Sequence, residues 1–289
     1  MNAVWRVVAD LGNSALKIFA TPESAAAEWI AKDWDTANKQ AFIFSQPISL
    51  RESDWPENIP NALRVFDDLA ETPAQWTVAS VNRPAFDQLK SWLHRHRAKD
   101  RLNLVTWRDI PLKLDVEHPQ CVGIDRLVAG WAARSFAISS ARINAQVPPV
   151  VVVDAGSAMT VDLVDSSGVF RGGAIYPGLR LQILSLSHGT DALTEIELGP
   201  PLNERLVAGR NTEQAIRLGV SAAAAGGIRL LFGAYQIQLS RTPRLILTGG
   251  DATYLSPHLP NAEVVPNLIL GGLLRLSPQT IAACKEAVQ

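Results

Sequence analysis

Residues 7–14 read VVADLGNS, and residues 151–158 read VVVDAGSA. Both are runs rich in β-branched residues that end in Asp, one apolar residue, Gly and then small or polar groups. The first ends in Asp10-Leu11-Gly12-Asn13-Ser14 and the second in Asp154-Ala155-Gly156-Ser157. An apolar stretch follows each, from Leu16 to Phe19 and from Thr160 to Val164. Strand, tight glycine turn and second strand make a β-hairpin with a polar tip. The copies stand half a chain apart, too far for a solenoid repeat. That spacing predicts two domains of similar topology facing one another, each built on one hairpin.

Outward from the first hairpin, strand signals fall near Ala41–Phe44, Trp76–Ser80 and Leu102–Trp107, with a helix over Ala85–His96 and Pro-rich connections through Trp55–Pro60. At Gly123 the period changes: Ile124, Leu127, Val128, Trp131 and Ile138 recur at helical spacing, as far as about Ser140. Around the second hairpin, Val150–Val164 and Val169–Ile175 read as strands, with Gly172-Gly173 and Pro177-Gly178 as tight turns. Thr212 reads as the N-cap of a long Ala-rich helix to about Leu239. Gly226-Gly227 inside it would admit another helix, from a second subunit. Arg244–Leu247 reads as a buried strand ending in Thr248-Gly249-Gly250-Asp251, and Asn267–Leu276 as the last helix. Strands and helices alternate, so the class is α/β. The division is placed at 120/121, giving domains 1–120 and 121–289, with the last helix able to fold back onto the first.

Composition agrees. A chain of 289 residues is comfortable for two domains, and 47% hydrophobic with 19% charged residues is globular with ample core. Lys+Arg 27 against Asp+Glu 28 leaves a charge of -1, which argues against nucleic acid or an anionic membrane as partner. Two cysteines, Cys121 and Cys284, make neither a disulfide framework nor a zinc site and fit a reducing cytosol. Arg6 and Asp10 break the apolar start, so no signal peptide is read, and no run approaches the roughly 20 apolar residues of a membrane span. The expectation is a soluble, cytoplasmic chain. The basic cluster Trp92–Arg101 reads as the solvated end of a helix.

The two tips carry the chemistry. Glycine amides beside small hydroxyl and amide side chains make a set of donors suited to phosphate. An Asp at the strand end can hold a cation against that phosphate, and Lys17 adds a point charge. An Asp in a turn is also a common cap; its repetition after matching strands favours phosphate. Gly123-Ile124-Asp125-Arg126 opens a helix, where an acid favours the macrodipole without any catalytic role. The functional reading makes Asp125 a general base for a hydroxyl nucleophile, with Arg126 stabilising charge. Cys121 reads as a packed thiol and His188 as structural. The chain has no Gly-x-x-x-x-Gly-Lys-Ser/Thr P-loop and no Gly-x-Gly-x-x-Gly, so a nucleotide site would be of another type.

Taken in order, these segments resemble the type III pantothenate kinases, a branch of the acetate and sugar kinase/Hsp70/actin superfamily. The motifs are Asp10-Leu-Gly-Asn-Ser with Lys17, Gly123-Ile-Asp-Arg126, Asp154-Ala-Gly-Ser-Ala158 with Thr160 and Asp162, Gly172-Gly-Ala-Ile-Tyr-Pro-Gly178, Asn211–Gly219, Thr248-Gly-Gly-Asp-Ala252 and Asn267-Leu268. The resemblance implies an α/β fold of two similar ribonuclease H-like, actin-like ATPase domains facing across a cleft. It implies ATP-dependent phosphorylation of pantothenate to 4'-phosphopantothenate, the first step of coenzyme A biosynthesis. By the same resemblance Asp125 is the proton acceptor, and Gly123, Ile124, Asp125, Arg126 and Thr212 contact pantothenate. Asp10, Leu11, Gly12, Asn13, Ser14, Ala15, Leu16, Lys17 and Ser157 contact ATP. Asp154 holds a monovalent cation, potassium or ammonium, and Asp10 is the candidate for the magnesium that accompanies ATP. A cytoplasmic homodimer is implied, with Thr212 at the interface.

Three positions depart from the family pattern. Ser157 stands where Thr is usual and keeps the hydroxyl. Val116 stands where a pantothenate-contacting Tyr is often found, and Ala129 or Gly130 where Asn is usual. Val116 motivates an alternative, a kinase of the same fold acting on another small hydroxylated substrate. A non-catalytic regulatory member of the family is the second alternative; retention of Asp10, Asp125, Arg126, Asp154 and a hydroxyl at 157 argues against it.

Overall fold

The structure is a computed structural model that describes residues 4–26, 45–66, 68–69, 72–140, 146–200 and 207–276. Its strands are β1 (Trp5–Leu11), β2 (Ala15–Pro22), β3 (Ile48–Ser49), β4 (Ala74–Ser80), β5 (Arg101–Leu104), β6 (Lys113–Leu114), β7 (Val150–Ala155), β8 (Ala158–Val164), β9 (Val169–Pro177), β10 (Arg244–Thr248) and β11 (Ala262–Val264). Its longer helices are α1 (Arg83–His96), α2 (Ile124–Ser139), α3 (Leu179–Gly189), α4 (Thr212–Leu239) and α5 (Leu268–Arg275).

These elements form two compact units. The first holds a sheet of order β3-β2-β1-β4-β5, in which β1 runs antiparallel to β2 and parallel to β4. The second holds a sheet of order β11-β10-β7-β8-β9-β6, in which β7 runs antiparallel to β8 and parallel to β10. Setting β6 aside, the sheets have one topology: an antiparallel three-strand meander with two parallel strands added to its first strand. The expected fold, α/β with two similar ribonuclease H-like domains, is the one observed. The two hairpins are central strands of their sheets, which is why their runs are apolar throughout rather than alternating. Every residue of β1 is buried.

In the second unit Val151, Val153, Met159, Val161 and Leu163 of the sheet pack against Leu179 and Ile183 of α3. Ile216, Val220, Ala224 and Ile228 of α4 join them, a single stripe at four-residue spacing. α4 has the length and apolarity of a membrane span, and 33% of its most apolar stretch is buried inside the unit. In the first unit α5 packs on β1 and α2. A Cβ at Gly272 would lie 3.0 Å from both Ala132 Cβ and Val128 Cγ1, so the α2–α5 contact is tight.

Several expectations are modified. A division at 120/121 puts α2 in the second half, whereas it packs in the first unit with its apolar face on β4 and α5; α5 folds back onto the first unit, which the reading of the last helix allows. Lys113–Val116 pack with the second unit, because β6 pairs with β9. Gly172-Gly173 do not turn the chain. They lie inside β9 where its ladder with β8 shifts register, and a Cβ at Gly173 would collide with the Val161 carbonyl and the Asp162 carboxylate. The cap of α4 is Asn211, whose side chain accepts from Gln214 N at 2.8 Å; Thr212 is the first helical residue. β5 ends at Leu104, short of Trp107. The strand signal at Ala41–Phe44 lies outside the described residues.

Candidate active site

β1 delivers Asp10 one residue before the last rung of its ladder, Leu11 opposite Leu16. Directly across from Asp10 stands Lys17, whose Nζ is 3.6 Å from Asp10 Oδ2. Between them the chain turns sharply, with Gly12 N donating to Ala15 O at 3.1 Å. Two neighbours hold this tip: Leu50 N donates to Ser14 O at 3.0 Å, and Val81 N donates to Leu11 O at 3.2 Å. Asn13 and Ser14 are exposed, while Leu11 and Leu16 are fully buried and offer a ligand only their backbone.

Asp125 occupies the first turn of α2. Ile124 and Leu127 point into the core, and Asp125 between them is half-buried. Its Oδ1 accepts from Arg126 N at 2.8 Å. A Cβ at Gly123 would stand 2.5 Å from that Oδ1 and 3.7 Å from Val81 Cγ1, so glycine here makes room for the carboxylate. Val81 therefore neighbours both the first tip and the start of α2. Burial raises the proton affinity of Asp125, and the Arg126 amide and charge oppose it. Asp10 is raised as well: burial is the main cause, Lys17 opposes it, and the charge of Asp125 adds to it. The first unit thus brings Asp10, Lys17 and Asp125 into one electrostatic group.

The second tip repeats the first with different neighbours. Asp154 again sits one residue before the last rung, Ala155 opposite Met159, but its partner across the ladder is Thr160. Gly178 N donates to Ser157 O at 3.0 Å, and a Cβ at Gly178 would overlap Gly156 O. Gly249, at φ +96°, comes as close from the other side. A Cβ there would lie 2.5 Å from Asp154 Oδ1 and would overlap Ala155 O. Asp251 N donates to Ala155 O at 2.9 Å, and burial raises the Asp251 carboxyl. The atoms gathered there are a carboxylate and a carbonyl oxygen, donors of the class that hard cations take. Ser157 is exposed at the tip.

Thr212 is exposed on the rim of a cavity of about 830 Å³ between α3 and α4, lined also by Gln182, Leu193, Arg210 and Ile216. The candidates thus divide: Asp10–Lys17 and Gly123–Arg126 belong to the first unit, and Asp154, Ser157 and Thr212 to the second. The close support of the second tip by Gly178 and Gly249 was visible in the sequence only as glycine turns after strands. Cys121, expected packed, is exposed, because it ends a short 3₁₀ turn with no buried residue. His188 is exposed in the last turn of α3.

A family model described as type III pantothenate kinase matches residues 6–233, a span that takes in both tips, the Gly123–Arg126 turn and Thr212. The chain belongs to the type III pantothenate kinase family. A relative of that name from Rhodopirellula baltica is 36% identical, over 94% of this chain and 98% of its own length. Another of that name, from Halorhodospira halophila, is 30% identical over 94% of this chain and 97% of its own. Among solved structures, the Alp12 filament structure is similar with a TM-score of 0.48 and 11% identity, covering 97% of this chain and 99% of that one. β10 with Gly249 and Asp251 lies beyond residue 233, outside the span that the family model matches, so the contact of Gly249 with the second tip comes from the structure alone.

Proposed function

We propose that this chain transfers the γ-phosphoryl group of ATP to the terminal hydroxyl of pantothenate, giving 4'-phosphopantothenate and ADP in the first step of coenzyme A biosynthesis. Family membership supports the reaction, and the observation that carries the mechanism is the Asp10–Lys17–Asp125 group. A carboxylate whose proton affinity is raised by burial is suited to accept a proton. It stands within electrostatic reach of a glycine tip suited to phosphate. As the hydroxyl oxygen bonds to the γ-phosphorus, its proton passes to Asp125 and the bond to the bridging oxygen of ADP breaks. Arg126 balances charge at that oxygen. The tip amides of Asn13 to Ala15, Lys17 and Ser157 hold the phosphates, while Gly123, the Ile124 backbone, Asp125, Arg126 and Thr212 hold pantothenate and bring its hydroxyl into line.

Asp10 would hold the magnesium that comes with ATP, and Asp154 with the Ala155 carbonyl a monovalent cation, potassium or ammonium; both ions supply charge neutralisation for the phosphates. The enzyme would act in the cytoplasm as a homodimer. The outer face of α4 supports the dimer: exposed Gly219, Ala223, Gly226 and Leu230 follow the alternating four- and three-residue steps of a helix–helix seam, and exposed Ile237 lies one heptad beyond Leu230. Nothing lies within 4 Å of a Cβ placed on Gly219 or Gly226.

The test is ADP release from magnesium and ATP with pantothenate, in potassium and again in sodium. Pantothenate-dependent release favoured by potassium is expected. Release indifferent to potassium would remove the cation from Asp154 and keep the kinase. No pantothenate-dependent release in either salt would overturn the substrate. Val116, beside Gly172 in the second unit, would then direct a panel of other hydroxylated acceptors.

A further inference from the structure

We propose that Arg217 is a positioning residue for pantothenate: it clamps the Gly199-Pro200 segment onto α4 and so sets the walls of the groove beside Thr212. The inference rests on the reading of that groove as the pantothenate side of the site.

Arg217 lies on α4, just over one turn beyond Thr212. Its side chain is 16% exposed. Nη2 donates to Pro200 O at 2.6 Å, and Nη1 lies 3.9 Å from Glu213 Oε1. Nε is buried with no hydrogen-bond partner among the described residues. Gly199 sits directly against the guanidinium. It has φ +63°, and a Cβ there would be 2.8 Å from both the guanidinium carbon and Nη2. Glycine at 199 thus serves both a left-handed backbone and a close approach.

The clamp acts on the groove through the segment it holds. Leu193 lines the cavity, and Leu193, Ile196 and Leu198 pack on the core of the unit. The other flank is fastened to the same turns of α4: Arg210 N donates to Gln214 Oε1 at 2.9 Å, and a Cβ on Gly209 would stand 2.7 Å from Ala215 Cα. Both walls are therefore referenced to the turns that carry Thr212. A forked guanidinium can donate to a carbonyl while its plane supports a glycine, and an ammonium can do only the first.

The experiment is steady-state kinetics of Arg217→Met, Gly199→Ala and Arg217→Lys with both substrates varied, alongside thermal melts. Arg217→Met and Gly199→Ala are expected to raise the pantothenate KM about tenfold, with the ATP KM and kcat within about twofold of the parent. Arg217→Lys recovers part of the loss, because its ammonium still reaches the Pro200 carbonyl. A general loss of stability lowers the folded fraction and does not move one KM alone. If Arg217→Met does not fold, Gly199→Ala and Arg217→Lys carry the comparison. An unchanged pantothenate KM in the folded variants, or an equal rise for both substrates, overturns the clamp and leaves the kinase reading standing. A parent enzyme with no pantothenate-dependent turnover overturns that reading, and the clamp with it.

Discussion

Asp125 is a helix-start carboxylate of the kind that usually only favours the helix dipole, a gain of at most about 1 kcal/mol at an exposed site. Here burial outweighs that effect and moves its pKa upward. Turnover should therefore fall as pH drops through a limb that lies above the ordinary aspartate value of about 4, where Asp125 gains its proton. Stability runs the other way. The folded chain prefers Asp125 protonated, so the burial penalty is absent at low pH and grows as pH rises through the raised pKa. Asp125→Asn is then expected to lose turnover by about 10²- to 10⁴-fold, to lose the acid limb, and to melt no lower than the parent at neutral pH. A pH–rate profile and a thermal melt check all three. A near-normal rate in this variant would remove Asp125 as the base.

In the proposed reaction each hairpin tip holds phosphate, and the supports of each tip can be tested separately from its chemistry. Alanine at Gly249 must adopt φ +96° and bring a Cβ to 2.5 Å from the Asp154 carboxylate. Gly249→Ala is expected to cost about 1–3 kcal/mol by urea unfolding and to raise the ATP KM; a variant as stable as the parent would mean that β10 does not press on the second tip. The tips themselves were legible in the sequence, since Asp-x-Gly after a β-branched run has one common structural outcome, and here it occurs twice. Their supports were not. A glycine pair signals a turn whether it makes one or, as at Gly172-Gly173, accommodates a carboxylate across an irregular ladder. Asn211 and Thr212 are both good caps, and only the hydrogen bond to Gln214 N separates them. Nor does helical periodicity say which sheet a helix will cover: α2 follows the 120/121 division in the chain and packs in the first unit.

At the scale of the whole molecule, α4 has one stripe in the core and another facing out. Leu230 is 75% exposed and Ile237 81% exposed, seven residues apart on the outer face. Leu230→Glu with Ile237→Glu is expected to shift sedimentation from dimer to monomer with the far-UV circular dichroism unchanged. A parent that is already monomeric would overturn the seam. The order in which the chain is made has a different consequence. The first sheet is covered by α5, whose Leu268, Ile269, Leu270, Leu273 and Leu274 are buried and which comes after every strand of the second sheet. The second unit is continuous from Val150 to Val264 apart from the short β6. On the ribosome the second sheet can close as soon as it emerges, while β1, made first, waits with one face uncovered until nearly the whole chain has been synthesised.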